Sequence, residues 1–375
     1  MKRGLNRPFG ATAVAGLLAL VPAPGARSEP PPTTASPSAS EAQPAAPKEE
    51  QVAERPWWKR VKISGLAFGD AYGVVEDHDP EVQGQYGFWI RRLYLTFDIA
   101  VAENWSARLR FEADSPGDFV ESNAKLEPFV KDAYLAWKGK NVEVLMGISP
   151  SPTFDFIERF WGYRAAEKTP LDLYRMASSR DFGVAVKGEF AGGRGFYHAM
   201  VGNGAGEGAE TNQGKKAMLA CGFEPSDALV FELYADIESR PDSTDRTTWQ
   251  GFLGFRGRTS RFGLQYAYQN RQADGGPDQP LAVGSIFGVL DLSSRASLFL
   301  RYDRSFEGNP EGEEIPYLEI ANDTRFDFAL AGFDWELARK IDLVPNVEYV
   351  NYRETDGQPV PGNDLIVRLT LYFQF

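Results

Sequence analysis

One cysteine in 375 residues, Cys221, excludes an internal disulfide, so the fold must be held by its sheet or core. Histidine is almost as scarce. His78 and His198 are the two present, too few to suggest a Ser-His-Asp arrangement or a histidine-rich metal centre. No CxxC, HExxH, P-loop or dinucleotide fingerprint occurs. Glu76, Asp77, His78 and Asp79 come nearest to a cation ligand set, although a solvated acidic loop explains them more simply. Positive charge is in deficit, with 40 Lys and Arg against 52 Asp and Glu, which argues against nucleic-acid binding. Long hydrophobic runs are also missing, and the mean hydropathy is −0.36. A helical span needs roughly 20 apolar residues, so a helical membrane protein is excluded. A membrane barrel is not, because half of each of its strands faces away from lipid. The reading is therefore of a non-enzyme with no cofactor.

At the amino end, Lys2, Arg3 and Arg7 precede an apolar stretch, Ala11 to Val21, and then a small-residue stretch from Pro22 to Ser28. That order predicts a secretory signal peptide over residues 1–28. Its removal leaves 36 basic against 52 acidic residues, since Lys2, Arg3, Arg7 and Arg27 leave with it. Residues 29–56 are rich in Pro, Ala, Ser and Glu without apolar periodicity, and read as a disordered periplasmic arm.

From Trp57 the pattern changes. The closing stretch LIVRLTLYFQF places Leu365, Val367, Leu369, Leu371, Phe373 and Phe375 on one face, and Asp364, Arg368, Thr370, Tyr372 and Gln374 on the other. Period two means a strand. Trp105 to Asp114 alternates still more cleanly, apolar residues interleaved with Ser106, Arg108, Arg110, Glu112 and Asp114. Comparable runs occur near 61–75, 89–101, 104–114, 128–138, 141–148, 181–190, 196–203, 216–224, 229–238, 248–257, 261–271, 283–291, 296–305, 324–336, 341–354 and 364–375, those at 61–75 and 128–138 alternating poorly. Their connections alternate between short turns and longer loops. This predicts an all-β fold over residues 57–375: a transmembrane antiparallel up-and-down β-barrel of about 16 strands, with its tight turns in the periplasm of a Gram-negative bacterium and its apolar face on outer-membrane lipid. Phe375 and the alternating apolar residues before it are similar to the terminal signature by which the barrel assembly machinery recognises outer-membrane barrels.

A barrel of this size leaves a water-filled lumen. The inward parity predicts Arg92, Arg108, Arg110, Lys187, Arg256 and Arg301 as pore-lining cations, with Asp98, Glu112, Glu232, Asp236, Asp303 and Arg368 on the same face. Cross-strand pairing on a solvated wall is the plainer reading of each. The longest connection, 149–180, is the third long loop. It carries Asp155, Glu158, Glu167 and Asp172 against Arg159, Arg164, Lys168, Arg175 and Arg180. A loop this long is usually functional, and opposed charges across a narrow passage filter solutes by charge and size. Porins commonly fold their third loop into the barrel, and on that likeness this loop is expected to enter the lumen, with Asp155, Glu158, Arg159, Arg164, Lys168, Arg175 and Arg180 at the constriction; the alternative is a surface loop packed by its own Phe154, Phe156, Phe160 and Trp161.

The fragments KDAYLAW (131–137), VEVLMGISPSP (142–152), FIERFWGYR (156–164), SSRDFGVAVKGEF (178–190) and MVGNGAG (200–206), together with the closing strand, resemble the phosphate-selective porin O and P family. The resemblance runs over most of 60–375. It implies an outer-membrane porin, a homotrimer, passing small inorganic ions or solutes by passive diffusion, with anions such as phosphate the family's namesake cargo. The acidic balance departs from the basic lumen that phosphate selectivity requires. A structural or adhesive barrel without transport is the competing reading.

Overall fold

The computed structural model describes residues 56–375 apart from 120–124, 210, 242–243, 356 and 358. The signal peptide expected at 1–28 and all but the last residue of the arm expected at 29–56 lie outside the described residues. After a single helical turn at Trp57–Arg60 come sixteen strands: β1 (Val61–Glu76), β2 (Tyr86–Ala102), β3 (Trp105–Ala113), β4 (Phe129–Lys138), β5 (Val142–Pro150), β6 (Arg180–Phe190), β7 (Gly195–Gly202), β8 (Lys216–Ser226), β9 (Leu229–Glu238), β10 (Arg246–Arg256), β11 (Ser260–Arg271), β12 (Gln279–Ser293), β13 (Ala296–Ser305), β14 (Arg325–Ala338), β15 (Ile341–Arg353) and β16 (Asp364–Gln374). Each pairs antiparallel with its neighbour in sequence, and β16 returns to β1, closing the barrel. The closing register sets Ala71 opposite Leu369. Gly65 and Phe375 exchange both backbone hydrogen bonds at 3.0 Å, so the last residue is tied into the seam.

Seven short turns gather at one end and eight longer connections, L1 to L8, at the other. L1 spans 77–85, L3 151–179 and L7 306–324. No helix among the described residues is long and apolar enough to cross a membrane.

Strand parity sorts the side chains as the alternation predicts. In β16, Val367, Leu369, Leu371 and Phe373 are exposed on the outer face, while Asp364, Ile366, Arg368 and Thr370 are buried on the inner one. Leu233, Leu264, Ile286 and Leu300, each more than half exposed, continue the outer apolar belt around the barrel. Alternation misleads where the ladder slips. Phe68 pairs with Arg92 and Gly69 with Ile90, so Arg91 is an extra residue in a bulge, and both arginines make their ion pairs inside the barrel.

The lumen is not the open aqueous bore expected from strand number. L3 and L7 fold inward and bury an apolar core against one side of the wall. Trp161 lies 4.9 Å from Phe287 and 5.7 Å from Phe299 by ring centroids, and Tyr163 stacks on Phe299 at 4.3 Å. From L7, Ile315, Leu318 and Ile320 are fully buried. Inner-face Phe299 fits because its strand neighbour is Gly332, where a Cβ would sit 2.1 Å from the ring.

If the outer belt faces lipid, Leu300→Arg, at the middle of β13, lowers the folding free energy in bilayers by about 2–4 kcal/mol, while Val75→Arg near a strand end costs about 0–1 kcal/mol. Urea titration of refolding into vesicles, read by heat-modifiable gel mobility, distinguishes these; equal costs would place the belt outside a bilayer.

Candidate functional site

L3 enters the barrel as a helix, Asp155–Trp161, that presents Ile157, Glu158, Phe160 and Trp161 to the interior. The helix stops at Gly162, whose φ of +79° is left-handed and whose N–H donates to the Glu158 carbonyl. A Cβ there would lie 2.6 Å from Nη2 of Arg261 and would push that guanidinium aside, so the left-handed conformation is the firmer reason for glycine. A second short helix, Pro170–Leu173, then turns the chain back toward β6.

Six side chains of the wall donate to backbone carbonyls of this loop. Arg91 reaches Ala166 O at 2.7 Å, Gln250 Thr153 O at 3.1 Å and Arg261 Trp161 O at 3.0 Å. Gln269 reaches Met176 O at 2.5 Å, Arg271 Arg175 O at 2.9 Å, and Arg301 the carbonyl of Lys168. The carboxylate of Glu167 closes the loop onto β2 through Arg91 at 2.7 Å, both side chains almost wholly buried. Removing one partner of such a pair is costly because the other charge is left unpaired.

The charges predicted for the constriction are brought into the barrel but mostly neutralise one another locally. Asp155 pairs with Arg159 at 2.5 Å, Arg164 with Glu158 at 3.1 Å and with Asp172 at 2.6 Å. Glu158 also accepts from the backbone N–H and hydroxyl of Thr169. Arg175 turns away to Glu311 and Glu314 of L7. Arg180 is the first residue of β6 rather than part of the loop, and its guanidinium is held by Asp132 of β4. Lys168, fully within the protein, has no ion-pair partner among the described residues. Burial pulls its ammonium below the ordinary lysine range; Asp172 and Glu167 oppose that, while Arg92 and Arg164 add to it.

Of the predicted wall cations, Arg92 meets Glu112 at 2.7 Å and Asp114 at 2.6 Å, Arg108 meets Asp98 at 2.6 Å, and Arg110 meets Asp132 at 3.3 Å. Lys187 pairs with Glu143 at 3.2 Å and Arg256 with Glu224 at 3.0 Å. Arg301 does not line an open passage: it is fully buried beneath L3, paired with Asp303 of its own strand, which also accepts from Tyr174 of the loop at 2.7 Å. Arg368 is likewise buried, between Glu348 at 2.8 Å and the carbonyl of Tyr317 in L7.

Space remains on the other side of the lumen, near β4–β9. Toward the long-loop end a cavity of about 440 Å³ is lined by Lys131, Lys168, Arg175, Arg180, Lys216, Arg240 and Arg246, with Asp172, Asp181, Glu238 and Glu311. Toward the short-turn end lies one of about 570 Å³ with a near-even charge balance: Lys138, Lys140, Arg159 and Lys187 against Glu143, Asp155, Glu189, Glu224 and Glu232. The helix Asp155–Trp161 contributes Asp155, Phe156 and Arg159 to the second cavity, while later residues of L3 floor the first.

Three features of the site were not read from the sequence. Arg91 was hidden by its bulge, and Lys131 and Lys216 were passed over. The inward fold of L7 was not anticipated, though the apolar residues of IPYLEI (315–320) within it were a usable signal. The third is a contact 286 residues apart: His78 of L1 reaches Asp364 Oδ1 through its backbone N–H at 2.7 Å, with its Nδ1 3.0 Å from the same oxygen and 3.3 Å from Asp77. Tyr352 bridges Asp364 and His78 Nδ1.

No protein-family model and no curated protein matches this chain. Solved structures do. The anion-selective porin from Comamonas acidovorans is similar at a TM-score of 0.64 and 13% identity, covering 84% of this chain and 99% of that one. OmpF of Salmonella typhi follows at 0.61 and 10%, covering 84% and 97%, and the outer-membrane channel DcaP of Acinetobacter baumannii at 0.56 and 17%, also covering 84% and 97%. The fold is that of the outer-membrane porins. At such identities the likeness establishes architecture, and the solute must be argued from this chain's own lumen.

L1 is clasped more firmly in acid. Burial pulls the His78 imidazole down, but Asp364 and Asp77 more than offset it and its pKa is raised; burial and Asp364 push Asp77 up to about 6. Both folded values exceed the unfolded ones, so the stabilisation is full below the unfolded pKa values and is lost as pH rises through the folded ones. Amide hydrogen exchange of L1 in the refolded protein, corrected for intrinsic rates, should show greater protection at pH 5 than at pH 8, and His78→Ala should flatten the difference. Equal protection at both values would show that the clasp does not titrate.

Proposed function

We propose that the chain is an outer-membrane porin for passive diffusion of small solutes, with a preference for anions at its long-loop mouth. One observation carries this reading: the cavity at that end has seven basic against four acidic side chains, although the chain as a whole has a formal charge of −12. Selectivity responds to charge lining the path, because low-dielectric walls focus the local field, rather than to the sum over distant loops. Lys168, buried and without an ion-pair partner among the described residues, is the cation most available to an entering anion. The porin fold and the lumen narrowed by L3 support a channel with a small cut-off. Phosphate is the anion suggested by the resemblance, and the homotrimer implied by it belongs to the same proposal.

Planar-bilayer recording of the refolded protein under a salt gradient tests this. The expected result is a small stepwise conductance whose reversal potential shows anion preference, reduced toward neutrality by Lys168→Gln. Phosphate added at millimolar concentration should reduce the chloride current if the named cargo is right. Cation preference would remove the anion part, and absence of conductance would remove the channel.

Glu167→Ala loosens L3 by removing the closer partner of Arg91, which keeps Asp70 at 3.7 Å, and so weakens the loop's docked state. Its expected signature is a larger, noisier conductance from a barrel that still shows heat-modifiable mobility; conductance unchanged from the parent would show that L3 does not limit flow.

A further inference from the structure

The cavity at the short-turn end contains polar atoms that the protein itself leaves unsatisfied. It is lined in part by Phe156, Phe196, His198, Ala220 and Glu232. Nε2 of His198 and Oε1 of Glu232 are buried without a hydrogen-bond partner. Glu232 is 2% exposed. Other buried carboxylates with an orphaned oxygen retain a partner elsewhere: Glu348 has Arg368 at 2.8 Å, Asp236 has Lys216 at 3.1 Å, and Asp132 has Arg110 at 3.3 Å. Among the described residues Glu232 has no ion pair. A buried carboxyl with neither counter-charge nor donor is expensive to ionise, and a bound cation offsets that cost.

The strand register explains the shape of the place. His198 of β7 lies opposite Ala220 of β8, and Glu232 of β9 lies opposite Gly222 of β8, which in turn faces Phe196. The intervening strand therefore offers only small inward groups between His198 and Glu232, whose strands lie two spacings, about 10 Å, apart, and the open space is a trough beside Ala220, which lines the cavity while Gly222 does not. The Phe196 ring covers Gly222, where a Cβ would sit 2.0 Å away, and stacks on Phe156 of L3 at 4.6 Å. One wall of the trough is thus aromatic. Of the four cations in the same cavity, Lys187 is held by Glu143 at 3.2 Å and Arg159 by Asp155 at 2.5 Å, while Lys138 and Lys140, at the turn between β4 and β5, have no ion pair among the described residues.

We propose that this trough is a binding subsite for the primary ammonium group of a small organic solute. An ammonium brings three N–H donors and a positive charge. Glu232 supplies the counter-charge and an acceptor, His198 accepts at Nε2 in its Nδ1–H tautomer, and ring faces within about 6 Å of a cation add attraction. An anion meets the Glu232 carboxylate. The subsite therefore reads a different group from the cationic cavity at the other end. It extends the channel reading to solute choice and rests on that reading for the route of entry.

Isothermal titration of the full refolded chain in detergent with n-butylammonium, alongside bilayer recording, tests the subsite. Expected is saturable binding, at least about ten-fold weaker for tetramethylammonium, which has the charge but no N–H, and absent for n-butanol. Glu232→Gln abolishes it and His198→Ala weakens it. Should Glu232→Gln fail to fold, Ala220→Leu fills the trough from β8 with the carboxylate in place, and it too abolishes binding. No saturable binding to the parent chain, equal binding of tetramethylammonium, or undiminished binding to a folded Glu232→Gln or Ala220→Leu variant overturns the subsite. Conductance without butylammonium binding overturns the subsite and leaves the channel. Binding without conductance supports the subsite and overturns the channel.

Discussion

Every backbone N–H and C=O that a chain carries through lipid must be paired within the protein, and a sheet meets that condition only by closing on itself. The pairing of β1 with β16 is therefore the contact on which the other fifteen depend. Closure turns a local alternation into a global partition. Once Leu369 and Leu371 face outward, Arg368 and Thr370 have nowhere to go but the lumen, and the same holds for every strand around the ring. The inner surface is then a confined space in which charged side chains must find partners. Arg368 finds Glu348 and Asp70, from the neighbours on either side of its own strand.

Sixteen strands enclose more space than their own side chains fill. L3 and L7 take up the difference, and arginine is what makes an inserted loop tolerable. A loop brings carbonyls away from water without a ladder to satisfy them. The guanidinium fork can meet a carbonyl with one arm while another arm stays on a carboxylate. Arg91 bonds the Ala166 carbonyl and the Glu167 carboxylate, and Arg301 bonds the Lys168 carbonyl while paired to Asp303. Some of the inward cations are thus structural ties for the loop and are withdrawn from the passage. The apolar half of the loop, Trp161 with Phe160, packs against Phe252, Phe287 and Phe299 of the same side of the wall, leaving the free space on the opposite side.

The strands were legible because their signal is repetitive and local: one buried face and one outer face, every second residue, for ten residues at a time. The barrel and its loop alternation follow from that period and the spacing of the turns. The state of each inward charge was not legible, because it depends on partners remote in sequence. Arg301 and Arg256 share the same parity, yet one is sealed beneath L3 and the other pairs with Glu224 beside an open cavity. Arg91 was invisible for a different reason: a single bulge shifts the phase, and period two holds no record of it. His78 looked like one residue of an acidic loop until the closing of the barrel brought Asp364 beneath it.

The acidic balance of the chain illustrates the same distinction between sum and place. Glu311 of L7 alone contacts Arg175, Arg246 and Arg271, and Glu307 contacts Arg325, so much of the excess acid near the long-loop end answers arginines at the rim. What remains along the open side of the lumen is graded: a cavity with more cations than anions, then the inserted helix, then a cavity of near-even charge whose Glu232 has no ion pair among the described residues. In the proposed channel a solute would meet opposite local demands at these two cavities. Net charge has no term for such an arrangement, whereas the field within a narrow low-dielectric enclosure is set by the nearest few groups. Selectivity in the proposed channel would therefore follow from the order in which charges are met, which depends on the loop residues that the wall holds in place.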